Sequence, residues 1–270
     1  MRRILTLLTL LSILVGCENN ESDILSNVDS YPMAVGTEWV YERQIIIETY
    51  ESETSNNVID IDTIYNSVKV WIEKDTILND TMSVTMFQSE VNDDNWIMMS
   101  SQFKYLDNEG LKNYAYLNDG SLVFPKNSSL IKYGLFTDFY KTGYNELLPV
   151  NSMIYEENPT LDIQLPLTEK SSWTYRKPTE TRVLQIDKSV TGVETLSITG
   201  ESFPCFIVSL EYLNDPDFEG IEFTDWISNK GLIKREIIVD RTTPRYWNGE
   251  PVHGTQKTTD ILTLKSLTIR

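Results

Sequence analysis

The feature that most constrains this chain is alternation. Runs of β-branched, aromatic and polar residues repeat with a period of two, and turn-forming groups separate them. Thr37–Tyr50 (TEWVYERQIIIETY) is the first run. Val58–Glu73 follows, with Ile59-Asp60-Ile61-Asp62 and then Val68-Lys69-Val70-Trp71-Ile72. Asp80–Val91, Asn95–Tyr105, Arg182–Lys188, Phe203–Leu213, Ile221–Ser228, Leu232–Asp240 and Thr258–Ile269 have the same character. Successive side chains of a strand point to opposite faces. Phe206, Val208, Leu210 and Tyr212 therefore share one face, and Ser209 and Glu211 take the other. Asp107-Asn108-Glu109-Gly110, Asn118-Asp119-Gly120 and Ser228-Asn229-Lys230-Gly231 supply residues that tolerate positive φ. The pattern predicts an all-β fold of antiparallel sheet. The best helical stretch, Ser128–Leu148, contains Gly134 and Gly143, so helix is expected to be minor.

A weak internal repeat runs through the pattern. Tyr31-Pro32-Met33-Ala34-Val35-Gly36-Thr37-Glu38-Trp39-Val40-Tyr41 matches Leu165-Pro166-Leu167-Thr168-Glu169-Lys170-Ser171-Ser172-Trp173-Thr174-Tyr175. In each copy an extended entry and a turn lead into a strand whose Trp and Tyr share a face. The chain is thus expected to divide into β-rich halves, 31–150 and 151–270, with a boundary near Asn151–Pro159 and the second half a possible repeat of the first. One continuous sheet and two separate domains are both open.

The N-terminus has a different grammar. Met1-Arg2-Arg3 is basic, and an apolar run follows from Ile4 to Val15. The run is about 12 residues where a membrane-spanning helix needs roughly 20, so residues 1–16 read as an export signal. Leu14-Val15-Gly16-Cys17 resembles the lipobox of bacterial lipoproteins. That resemblance implies cleavage before Cys17 and a diacylglyceryl group on its sulfur. Each buried methylene contributes about 0.8 kcal/mol, so two or more acyl chains would hold the protein to a bilayer. Residues 17–30 (CENNESDILSNVDS) then read as a lipidated cysteine and a flexible acidic tether. Acidic residues here also resemble the surface-export signals of Bacteroidota lipoproteins, although a plain solvated linker fits equally well.

Three further anchors resemble Bacteroidota envelope lipoproteins of uncharacterised function. Tyr31–Tyr41 is similar to an opening P-L-x-x-G-x-x-W-x-Y. Gly200-Glu201-Ser202-Phe203-Pro204-Cys205, followed by Ile207-Val208, is similar to a G-T-F-x-C-x-x-V strand. Trp226–Lys234 is similar to a W-x-x-x-G-x-G-L-V-K hairpin, with Asn229 in place of the first glycine. The resemblance implies a curved antiparallel sheet like that of DUF3108-like domains and the open β-barrels of lipoprotein carriers. It assigns no catalytic residue.

Composition narrows the function classes. The formal net charge is −17, and losing Arg2 and Arg3 with the signal makes the exported part more acidic still. A nucleic-acid partner needs a basic footprint, so none is expected. An acidic body gains nothing from an anionic bilayer, which leaves anchoring to the lipid on Cys17. The expected location is the cell envelope, most simply the outer membrane. The chain has two cysteines; if Cys17 is acylated, Cys205 has no disulfide partner. Phe203-Pro204-Cys205-Phe206 is a strand-like setting in which cysteine serves as a small apolar core residue.

Chemistry-bearing residues are sparse. His253 is the sole histidine, sits in a loop-like run, and has no Gly-x-Ser-x-Gly elbow to serve. One histidine and one cysteine in the body do not make a zinc site. Asp215-Pro216-Asp217-Phe218-Glu219-Gly220 resembles the first half of a calcium loop, but position 12 falls on Trp226, which cannot supply the carboxylate. Trp71, Trp96, Trp226 and Trp247 are candidates to stack on sugars or line an apolar cavity, with hairpin packing the plainer reading. Asp62-Thr63-Ile64, Asp75-Thr76-Ile77 and Asp80-Thr81-Met82 resemble Bacteroidota O-glycosylation acceptors.

No cofactor, metal or catalytic residue is assigned, and the ligand-binding residues are left open. The expected role is a non-catalytic binding or carrier function for an apolar or amphiphilic ligand or an envelope partner protein. The alternatives are a glycan-binding or glycan-processing accessory and a structural element of an envelope complex. A deep apolar pocket would favour the first, a groove with two exposed tryptophans the second, and a flat apolar patch the third. Cys17→Ser is expected to leave the precursor uncleaved and without acyl mass. Fractionation and intact-mass measurement check this, and a processed, membrane-bound variant would refute the lipid assignment.

Overall fold

The computed structural model describes residues 27–93, 96–117, 153–179, 185–214, 220–242 and 255–270. The strands are β1 (Glu38–Tyr50), β2 (Val58–Leu78), β3 (Met82–Asp93), β4 (Trp96–Leu106), β5 (Gly110–Leu117) and β6 (Met153–Gln164). They continue as β7 (Ser172–Arg176), β8 (Gln185–Ile198), β9 (Glu201–Leu213), β10 (Ile221–Ser228), β11 (Gly231–Thr242) and β12 (Thr255–Thr268). All belong to one 12-stranded antiparallel sheet in the order β6-β5-β4-β3-β2-β1-β12-β11-β10-β9-β8-β7. The described residues contain no helix. The stretch Ser128–Leu148 lies outside them.

Consecutive strands are neighbours, as expected of a meander. The one long-range pairing is β1 with β12, in register from Glu38 opposite Thr268 to Tyr50 opposite Thr255. It joins the chain's two ends, so a single sheet runs through both sequence halves. The result is a barrel-like cylinder, nearly closed, whose two edges are β6 and β7.

Tight turns set the registers. Thr199 and Gly200 both have positive φ (51° and 85°) between Ile198 and Glu201. That is the two-residue loop whose twist suits a hairpin. Ser228 faces Gly231 across Asn229-Lys230, and Ser228 Oγ accepts from the Lys230 amide at 3.0 Å. On the β4–β5 hairpin Asp107 Oδ1 does the same for the Glu109 and Gly110 amides at 2.9 and 3.2 Å. The two Pro…Trp segments also share a turn. Thr37 N donates to Ala34 O and Ser171 N to Thr168 O, each at 3.0 Å. Thr37 O then accepts from Ile72 N, and Ser171 O from Val190 N, each at 2.9 Å.

Alternation places the core. On β1, Trp39, Tyr41, Ile45 and Ile47 are buried, and so is Arg43 in the same row. On β12, Thr258, Asp260, Leu262 and Leu264 form the matching row. Phe206, Val208 and Leu210 are buried, while Ser209 and Glu211 are not. Fully burying such a side chain contributes about 1.5–3 kcal/mol.

The seam between β6 and β7 has no backbone ladder, and side chains span it. Trp173 Nε1 on β7 donates to Leu161 O on β6 at 2.8 Å. Lys188 Nζ reaches from β8 to Asp162 O at 2.8 Å. Arg176 forks onto Glu156 at 3.0 and 2.5 Å. The incoming N-terminal segment adds a clasp. Val28 and Leu167 exchange backbone bonds of 2.9 and 2.8 Å, and Val28 is buried. The tether assigned to residues 17–30 therefore ends sooner than the polar composition suggested, because Val28 finds a backbone partner and an apolar site. Residues 17–26 lie outside the described residues.

Gly110 (φ 141°) opens β5 where any Cβ would collide with the Ile163 carbonyl oxygen on β6. Gly110→Ala is expected to cost more than about 1 kcal/mol. Urea unfolding would show this as a lower midpoint, and an unchanged midpoint would contradict the packing at this edge.

Candidate functional site

The cylinder's interior is filled by side chains around a cavity of about 110 Å³. Its apolar wall includes Trp39, Leu111 and Leu262. Its polar wall is Tyr31, Tyr41, Gln88, Lys104, Asp162, Lys188, Asp225 and Arg235, with Ser89 and Gln102 at the margin. Ten strands and the N-terminal segment contribute to these walls, so no short motif could contain the site.

Each contributor is held in place. Tyr31 arrives on the segment clasped through Val28, and its ring lies 6.0 Å from that of Trp39. Trp39 Nε1 donates to Lys230 O at 2.8 Å, and Tyr41 Oη to Leu232 O at 3.0 Å. Both bonds tie β1 across the interior to the β10–β11 hairpin. Gly231 makes room for this contact, since a Cβ there would lie 2.9 Å from Trp39 Nε1. Arg235 forks onto Asp225, Nε to Oδ1 at 2.6 Å and Nη2 to Oδ2 at 2.9 Å. Lys104 Nζ sits 2.5 Å from Asp162 Oδ2.

Among the described residues the buried charges balance four against four, but they do not pair off one to one, because the part-exposed Lys104 takes one of the carboxylates. Arg43 pairs with Asp260, Arg176 with Glu156 and Arg235 with Asp225. The fourth buried carboxylate, Asp162, is taken by Lys104. Lys188 is left over. It is 2% exposed, and its hydrogen bond goes to a backbone carbonyl. Its ammonium also lies 4.6 Å from the Tyr175 ring centroid and 5.9 Å from that of Trp173. An ammonium has three donors, and no carboxylate meets any of them.

Electrostatics follow from burial. Desolvation pulls the Lys188 amine down to about 8, against the attraction of Asp225 and Asp162 and with the help of Arg235 and Lys104. Burial raises the Tyr31 and Tyr41 phenols well above their ordinary range, so both stay protonated donors. Burial also opposes charge on Arg235, but Asp225 outweighs it and the guanidinium remains ionised.

No family model and no curated protein matches this chain, so the DUF3108 likeness rests on the short sequence anchors alone. Two solved structures align along its length. One is a presumed lipoprotein from Parabacteroides distasonis, 12% identical, with a TM-score of 0.30, covering 89% of this chain and 99% of that one. The other is a presumed exported protein with a YmcC-like fold from Bacteroides fragilis, 14% identical, with a TM-score of 0.29 and the same coverage. Likeness at these scores does not bear on function.

The residues singled out from sequence are scattered. Cys205 is buried, its Sγ 3.2 Å from Phe203 O, and burial with help from Glu194 pushes its thiol up to about 12. Trp226 is a core residue whose Nε1 donates to Glu194 at 2.7 Å. Trp71 is part-exposed, donates to Glu73 at 2.7 Å and lies under Lys69. Thr63 and Thr81 are exposed and Thr76 is partly buried. Cys17, Trp247, His253 and Asp215–Glu219 lie outside the described residues, as does the side chain of Trp96. None of these lines the cavity, whereas Tyr31, Trp39 and Tyr41 of the opening motif do. The phase of its charged residues is the signal that the sequence carries: Lys188 is in phase with Ile186, Arg235 with Ile233 and Ile237, and Asp225 with Phe223 and Ile227. A charge in phase with buried apolar neighbours is aimed inward.

Holding Lys188 charged costs on the order of 3 kcal/mol. Between pH about 8 and the usual 10.5, the unfolded chain binds more protons at this amine than the folded one. Stability therefore rises with pH across that window, and below it the penalty is present in full. Lys188→Met is expected to gain about 1–2 kcal/mol at pH 7, after losing the seam bond, and to lose the rise between pH 8 and 10. Urea unfolding at the two pH values measures both. A variant less stable than the parent at pH 7 would show that the seam bond outweighs the desolvation.

Proposed function

We propose that this chain is a lipid-anchored protein of the bacterial cell envelope with a non-catalytic binding role, its ligand a small polar molecule held inside the cylinder. The anchoring part rests on the signal and lipobox of residues 1–17. The binding part rests on one observation: Lys188 is buried against a cavity without a carboxylate partner. An unpaired buried charge is destabilising, so its presence calls for a partner from outside.

The cavity's size and chemistry set the ligand. Sites for drug-sized molecules run from about 300 to 1,000 Å³, and this one is about 110 Å³ with charged walls. An acyl chain is too large for this cavity, so an apolar cargo is a poorer fit to it than a small polar one. Glycan stacking finds little support, because Trp226 is a core residue.

A second reading, docking of an envelope partner protein, has its own observation. β2 pairs with β3 only from Ser67 onward. On the preceding length, Ile59, Ile61 and Tyr65 are 54%, 60% and 72% exposed. Such a strand edge is a template for another chain.

Native mass spectrometry of the full chain extracted from membranes tests the proposal. The expected species is the chain from Cys17 with diacylglyceryl mass, carrying a small polar solute that leaves on denaturation. A non-covalently retained phospholipid or oligosaccharide would overturn the assignment of the ligand.

A further inference from the structure

The walls of the cavity state two complementary needs. Lys188 brings donors that no carboxylate meets. Gln88 brings the opposite: its Oε1 is buried and accepts no hydrogen bond from the described residues, and its Nε2 reaches only the Met86 sulfur, at 3.9 Å. Both residues line the same cavity. A buried acceptor without a donor is destabilising, and an unmatched ammonium is more so. The other charged groups at this wall are already engaged, Arg235 with Asp225 and Lys104 with Asp162. One positive charge and one acceptor therefore remain for a ligand.

We infer that the cavity binds a small oxyanion carrying its own hydrogen-bond donor, of the hydroxy-carboxylate class, its carboxylate on Lys188 and its hydroxyl donating to Gln88. This rests on the binding reading above and narrows it to a charge and a size. A bare cation would meet Lys188, Lys104 and Arg235. A neutral polyol would satisfy Gln88 and leave the ammonium as it was. A carboxylate without a hydroxyl would satisfy Lys188 and leave Gln88 orphaned. Size agrees: an apolar cavity of about 150 Å³ takes benzene, and a two- or three-carbon hydroxy acid is smaller. Tyr31 and Tyr41, held protonated by burial, do not add negative charge against the anion. Asp162 and Asp225 are the groups that oppose it, and Lys104 and Arg235 each offset one of them.

The test uses the full chain in detergent and four probes at matched ionic strength: glycolate, acetate, ethylene glycol and sodium chloride. Phosphate and sulfate are avoided because they stabilise proteins through exclusion from the surface. Ligand binding to the folded state raises the unfolding midpoint in a saturable way, and isothermal titration gives the affinity. Glycolate is expected to bind at least about tenfold more tightly than ethylene glycol and about threefold more tightly than acetate. That ordering reflects the charge-assisted bond and the extra neutral one. Lys188→Met should weaken glycolate at least tenfold, Gln88→Leu should bring glycolate down to acetate, and Lys188→Arg should retain binding. Affinity for glycolate should fall as pH rises past about 8, where the amine loses its proton.

The failures are separable. Equal binding of glycolate and acetate overturns the hydroxyl contact. Equal binding of ethylene glycol and glycolate, unchanged in Lys188→Met, overturns the anion assignment and leaves a small polar ligand. No saturable effect of any probe overturns both readings. Circular dichroism of each variant establishes its fold, and the loss of glycolate affinity of the unmutated chain above pH about 8, absent in Lys188→Arg, carries the charge test if Lys188→Met does not fold.

Discussion

The structure depends on how its sheet closes without closing. Eleven neighbouring pairs are joined by backbone ladders, and the twelfth junction, β6 to β7, is not. A sheet edge leaves amide and carbonyl groups unpaired, and here side chains from β7 and β8 meet the carbonyls of β6. Trp173 serves Leu161 and Lys188 serves Asp162. A lysine that reaches across a strand to a carbonyl must run through the interior. The manner of closure therefore brings charge into the middle of the molecule.

Once there, the charge organises the rest. Three arginine–carboxylate pairs and the Lys104–Asp162 pair sit in or beside the apolar rows. Such pairs contribute little net stability against hydrophobic replacements, yet breaking one costs about 3–5 kcal/mol. They fix registers: Arg43 binds Asp260 across the β1–β12 junction that joins the chain's two ends. Lys188 stands outside this balance. It makes the interior less stable, because burial opposes its charge and no carboxylate pairs with it.

Much of the architecture was legible in the sequence. Alternation located β1 to β4 and β9 to β12 to within a few residues, because one buried face imposes a period of two. Turn residues marked the hairpins at Asp107–Gly110 and Ser228–Gly231. Two strands escaped. β6 (MIYEENPTLDIQ) holds Pro159 and two consecutive glutamates, and its buried positions include Glu156, Thr160 and Asp162 rather than an apolar row. β5 begins at the glycine that reads as a turn residue. The closure of β1 on β12 could not be read at all, since it joins segments at opposite ends of the chain. The cavity escaped for a related reason. Its walls come from ten strands, and a lysine in Asp187-Lys188-Ser189 looks like solvated surface until its phase with Ile186 is noticed.

The clasp between Val28 and Leu167 has a mechanical meaning. Any pull on the polypeptide upstream of Asn27 is borne first by two antiparallel amide bonds. Leu167 lies on the connection between β6 and β7, so tension arrives at the one joint lacking a zipper of its own. Tyr31 stands three residues downstream on the same strap. A tug from the N-terminal side of the clasp is thus delivered, along this strap, to the wall of the chamber.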